Sequence, residues 1–151
     1  LVGSEMCIRD RDGYVKKAGT NFVLSVGRLI GSQPELKGEQ RLRKEDIYWE
    51  MPRCYQWDIT VNLPEGYRIS PEGLERLNVK VENDCGAFIV QATTEDGTLR
   101  IKAEKHINHK TEPVANWEKL LEITDAANSY EALSIVFQAT INPPTSPTTG
   151  Y

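Results

Sequence analysis

Only three cysteines and two histidines occur in the 151 residues. That is too few thiols for a disulfide scaffold, and it leaves little material for a histidine-rich metal centre. No apolar run approaches the length that a bilayer-spanning helix needs, so membrane insertion is excluded as an expectation. A basic excess is also missing. Eighteen Lys and Arg against 22 Asp and Glu leave a net charge of −4, and a general nucleic-acid binder would carry a basic stripe instead. There is no Gly-rich phosphate loop and no Gly-x-Ser-x-Gly elbow. What remains has the length and the apolar share (39%) of one ordinary domain able to close a single core. No cofactor is expected.

The two ends differ from the middle. Leu1 to Arg11 has neither helical nor strand periodicity, and it lacks the apolar stretch of a signal peptide. Met6 to Arg11 back-translates to ATG-TGT-ATA-AGA-GAC-AG, which resembles the transposon mosaic end used as a sequencing-library adapter. Residues 1–11 are therefore expected to be translated adapter joined to a gene fragment whose upstream part is missing. Residues 12–20 read as linker, 21–141 as one β-domain, and 142–151 as a flexible Pro/Thr tail.

Within the domain, Asn21 to Ile30 is apolar enough for a strand and stops at Gly31. Gln33 to Lys44 reads as a polar loop bearing Arg41, Arg43 and Lys44. Ile47, Trp49 and Met51 alternate with polar neighbours up to Pro52. Tyr55, Trp57, Ile59, Val61 and Leu63 alternate with Gln56, Asp58, Thr60 and Asn62, the clearest strand in the chain. Leu63-Pro64-Glu65-Gly66 fits a type I turn with Pro second and Gly fourth. Tyr67 and Ile69 form a short strand, and Pro71 to Arg76 holds about one helical turn. Leu77, Val79 and Val81, then Ala87 to Thr93, then Leu99, Ile101 and Ala103 continue the alternation, with reversals at Asn83–Gly86 and Glu95–Gly97. One helix over 114–128 interrupts it, with Val114, Trp117, Leu120, Leu121, Ile123, Thr124 and Ala127 at helical spacing behind Pro113. Leu133 to Ile141 returns to strand. The expected fold is mostly β: an immunoglobulin-like antiparallel β-sandwich with one helix packed near the C-terminus.

Three sets of residues invite a chemical reading. Cys85, His106 or His109, and Asp125 follow the Cys-His-Asp order of transglutaminases and some proteases. An activated thiol needs a helix N-terminus or a cation beside it, whereas Cys85 falls in a β-turn, so a structural role is expected. His106 and His109 lie near a strand end, where an odd separation sends the rings to opposite faces; metal ligation is not expected. Cys54 and Cys85 could pair if the domain is exported. Trp49, Trp57 and Trp117 each share a face with apolar neighbours and read as core, leaving a poor platform for sugars. No catalytic residue is assigned.

Several stretches carry a family resemblance. They are Asn21-Phe22-Val23-Leu24-Ser25-Val26-Gly27; Arg41-Leu42-Arg43-Lys44 before Asp46-Ile47-Tyr48; and Trp57 to Leu63 running into Pro64-Glu65-Gly66-Tyr67. The ending adds Trp117, Leu120-Leu121, Asp125-Ala126-Ala127 and Ile135-Val136-Phe137. Over residues 20–141 the chain resembles the C-terminal β-domain of unknown function that follows the catalytic module in bacterial transglutaminase-like proteins. The resemblance implies an exported, periplasmic or extracellular parent whose Cys-His-Asp core lies upstream and would be this domain's partner. That core's signature, a Cys followed by Trp, is not matched at Cys85, where Gly86 follows. What is implied is a non-catalytic accessory domain that packs on the core or presents substrate to it. The alternative is an independent adhesion or ligand-binding module of an envelope protein, and a small thiol enzyme is a third reading to be tested. For the first, the candidate interdomain surface is Arg28 in the Asn21–Ile30 strand, expected at a sheet edge, together with Arg41, Arg43 and Lys44.

Overall fold

The strand that alternates most regularly, Cys54–Asn62 (β4), is the edge of a four-stranded antiparallel sheet. Its partners are Thr98–Ile107 (β8), Gly86–Glu95 (β7) and Val79–Asn83 (β6), in the order β4-β8-β7-β6. β6, β7 and β8 follow one another as hairpins, while β4 joins β8 from earlier in the chain, and the computed structural model describes residues 13–50 and 53–140 of the chain. The β7–β8 hairpin closes through Asp96 (φ 49°) and Gly97 (φ 74°). Two left-handed residues in a two-residue loop give the type I′ geometry whose twist matches the flanking strands.

A second four-stranded sheet is assembled from distant parts of the chain. Val15–Ala18 (β1), Asn21–Leu24 (β2), Ile135–Ala139 (β10) and Tyr67–Ile69 (β5) pair antiparallel in the order β1-β2-β10-β5. A two-stranded ladder, Ile47–Tyr48 (β3) with Thr111–Glu112 (β9), completes the pairing. The helix Trp117–Glu131 (α2) follows a 3-10 turn at Val114–Asn116. Its buried residues Leu120, Ile123, Ala127 and Tyr130 recur at helical spacing. Leu24, Ile135 and Phe137 of one sheet share a core with Phe88, Val90, Leu99 and Ile101 of the other, and Ile123, Ala127 and Tyr130 of α2 close it. The architecture is mostly β, with antiparallel sheets and one C-terminal helix, as the alternation implies. Among the described residues no helix is long and apolar enough to cross a membrane.

Several local expectations are corrected. Asn21–Ile30 is not one strand: β2 ends at Leu24 and a 3-10 turn takes Val26–Ile30. Gly27 causes the change. Its N–H donates to the Leu133 carbonyl at 2.9 Å, and a Cβ there would lie 1.8 Å from the Tyr130 carbonyl oxygen. Val26, Gly27, Leu29 and Ile30 are buried while Arg28 is exposed, a pattern that does not alternate. Nor is β2 an edge, since it lies between β1 and β10. The expected linker 12–20 contains β1, an exposed strand that joins by backbone pairing and carries no apolar pattern.

The turn after β4 is shifted by one residue. Tyr67 N–H donates to the Pro64 carbonyl at 3.1 Å, which places Gly66 (φ 84°) third, where a type II turn requires a left-handed residue. The short helix Pro71–Arg76 (α1) forms as expected; the Ser70 hydroxyl accepts from Gly73 N–H, and Pro71 opens it. Residues 1–11, the tail 142–151, Met51 and Pro52 lie outside the described residues.

Candidate functional site

The basic loop between the two sheets is tied to α2. Arg41 meets Asp125 through two hydrogen bonds, Nη1 to Oδ1 at 2.9 Å and Nη2 to Oδ2 at 2.8 Å. These bonds are the main reason that the Asp125 carboxyl sits below the usual aspartate range and the Arg41 guanidinium above its own. The Trp117 indole N–H donates to the Arg41 carbonyl at 2.9 Å, and the Arg43 guanidinium lies 5.4 Å from the Trp117 ring centroid. Asp46 accepts from Val114 N–H at the start of the helical segment. Lys44 is exposed and makes no ion pair among the described residues. Leu42, between the two engaged arginines, is 79% exposed.

Arg28 belongs to a different contact. Its guanidinium lies 4.8 Å from the Tyr14 ring centroid and donates to the Gly13 carbonyl. It braces the segment leading into β1 rather than the loop that carries Arg41, Arg43 and Lys44.

The Cys-His-Asp order noted in the sequence is not assembled. Cys85 is fully buried beside Ile47 and Leu120, and the charge of Glu112 acts on its thiol. Glu112 is itself buried and accepts from Asn116 Nδ2 at 2.8 Å; His109 Nδ1 lies 2.5 Å from its other oxygen. The Asn116 hydrogen bond is the first cause holding the Glu112 carboxyl below the usual glutamate range, working against desolvation and helped by His109. Burial, then the Glu112 charge, pushes the Cys85 thiol up. A carboxylate where a base would need to be suppresses thiolate formation instead of promoting it. Asp125, the presumed third member, is occupied by Arg41.

A second thiol–imidazole arrangement emerges only from the sheet register. Cys54 is exposed and directly opposite His106 across the β4–β8 ladder. Ile107 N–H donates to the Arg53 carbonyl, so the next pair, Cys54–His106, is a non-hydrogen-bonded one, where facing side chains are closest. Glu104 holds His106 Nδ1 at 2.8 Å. No hydrogen bond joins the thiol to the ring among the described residues. Cys54 and Cys85 are both free. Among the described residues no group of three His, Cys, Asp or Glu side chains is arranged to hold a metal ion.

The tryptophans are less enclosed than expected. Trp49, Trp57 and Trp117 are all half-buried, each packed against the margin of a core cluster. Trp57 stacks with Tyr55, ring centroids 6.0 Å apart and planes at 17°, and Tyr55 is 46% exposed. The alternation gave the right face, but β4 is an edge strand and one flank of that face is uncovered.

No curated protein and no solved structure matches the chain. A family model described as a domain of unknown function with a solved structure (DUF3858) matches residues 25–137. The match runs from the Gly27 turn into β10 and leaves out β1 and β2, and the chain belongs to that family of domains of unknown function.

Proposed function

We propose that this domain is a non-catalytic accessory module of an exported transglutaminase-like protein, packing on a separate catalytic domain or presenting substrate to it. The observation that carries the reading is the pinned loop. Arg41 and Trp117 fix its backbone to α2, and Leu42 is presented outward at 79% exposure beside Lys44. A large apolar side chain held out on a constrained loop is inexpensive to dock, because little conformational entropy is lost on binding. A moderate, fairly polar surface of this kind suits contact between domains of one chain. Arg41 and Arg43 then serve as positioning residues, Leu42 and Lys44 as the contacting ones, and Arg28 takes no part. The inert setting of Cys85 supports a role without covalent catalysis.

The test is to titrate the separately expressed upstream catalytic domain with this chain and with Leu42→Asp. Binding by the parent chain that is lost in Leu42→Asp supports the proposal. Absence of binding by both, or equal binding by both, overturns it.

A further inference from the structure

Among the described residues β4 is the longest sheet edge, at nine residues, and its one charge, Asp58, is the single device it carries against edge pairing. The other edges are blunted. β1 presents Lys16 and Lys17, β5 has three residues, and β6 lies against α2, where Asn83 Nδ2 donates to the Lys119 carbonyl. β4 has no proline, no lysine and an unbroken register with β8, hence no bulge. Native edges are usually protected by such features.

The phase of the ladder decides what this edge can accept. The Ile107-to-Arg53 and Leu63-to-Gly97 hydrogen bonds assign the odd-numbered residues of β4 to β8. The backbone N–H and C=O of Cys54, Gln56, Asp58 and Thr60 therefore point away from the sheet, and they have no backbone partner among the described residues. On the core side of the same strand, Tyr55 and Trp57 are incompletely covered.

We infer that the β4 edge pairs with β4 of a second copy of this chain, antiparallel and centred on Trp57. In that register Gln56 faces Asp58 of the second copy and Cys54 faces Thr60, both at hydrogen-bonding positions. Tyr55 faces Ile59 and the two Trp57 rings meet, so the exposed aromatic flank of each copy is covered by the other. About this centre no like charges face each other and the aromatic flanks cover one another, whereas an axis at Asp58 would place two like charges directly opposite, which is destabilising. The two sheets then continue as one across the two-fold axis, which is a closed isologous contact.

Sedimentation of the full chain over a concentration series tests this, together with Gln56→Asp and Gln56→Lys. Gln56 is exposed and its backbone N–H is not used by β8, so both variants keep the fold, which circular dichroism checks. The chain is expected to dimerise. Gln56→Asp, which faces Asp58 twice across the axis, should weaken the dimer about tenfold, and Gln56→Lys should retain or tighten it. A chain that stays monomeric throughout overturns the inference. So does a dimer indifferent to both substitutions, which would place the contact elsewhere. A monomer that instead binds the catalytic domain in a Gln56-dependent way would assign the edge to that partner and also overturn it.

Discussion

Arg41 and Asp125 are separated by 84 residues and meet in a two-pronged ion pair that ties the central loop to α2. Both side chains are partly exposed, so the pair contributes little to global stability; its effect is local. Asp125→Asn should leave the denaturation midpoint nearly unchanged while speeding amide hydrogen exchange and proteolysis in residues 36–46. The native Asp125 carboxyl is held low by Arg41. The loop's protection should therefore be complete above the ordinary carboxyl range, about pH 4, and fall away as pH drops through the lower native value. Unchanged exchange in Asp125→Asn would show that the loop is held by Trp117 and Asp46 alone.

Glu112 is the more costly residue to disturb. Its buried carboxylate is held by Asn116 and His109 together. Glu112→Ala should destabilise the domain by about 1–3 kcal/mol in urea denaturation, because the half-buried Asn116 amide loses its acceptor and a cavity opens beside Cys85. The native carboxyl titrates below its unfolded value. Its contribution is full above the unfolded pKa and lost as pH falls through the native one. Glu112→Gln should flatten that acid-side slope, and an unchanged slope would assign it to other carboxyls.

The two described thiols should react at very different rates. Cys54 is exposed and Cys85 is fully buried with its thiol pKa raised. Iodoacetamide is expected to label Cys54 in the native state and Cys85 only after denaturation, as read by peptide mass spectrometry. Removing the base opposite Cys54, in His106→Ala, tests whether the imidazole accelerates that labelling. Native labelling of Cys85 would contradict the packing around Glu112.

Gly27→Ala should be severe. The added methyl would press against the Tyr130 carbonyl at 1.8 Å, and backbone on both sides leaves nowhere to yield. A loss of about 3 kcal/mol or more is expected from calorimetry. A mild effect would mean that the Val26–Ile30 turn can separate from α2.

What the residues reveal by themselves depends on how local the determining contact is. β4, the Asp96–Gly97 hairpin and α2 are legible because alternation, turn chemistry and helical spacing are properties of neighbouring residues. β1 is not, since Val15, Lys16, Lys17 and Ala18 join a sheet through backbone groups alone. The Val26–Ile30 turn is misread because a nearly continuous run of buried apolar residues looks like an enclosed strand. The site suffers most. Cys54 meets His106, and Arg41 meets Asp125, through register and long-range docking that no spacing announces. The signal available for the first was modest: Glu104 and His106 share a strand face two residues apart.

The order of strands in the second sheet bears on how the chain reaches its native state. β2 cannot be completed on one side until β10 arrives, more than a hundred positions later in the sequence, and β5 depends on the same strand. The β4-β8-β7-β6 sheet needs only residues 54–107. During synthesis that sheet can assemble from the middle of the chain while the early hairpin waits. Low loop-closure cost favours the contiguous sheet kinetically. β2 is thus completed last, and a chain ended before Ile135 would have the contiguous sheet formed and β2 unpaired on one side.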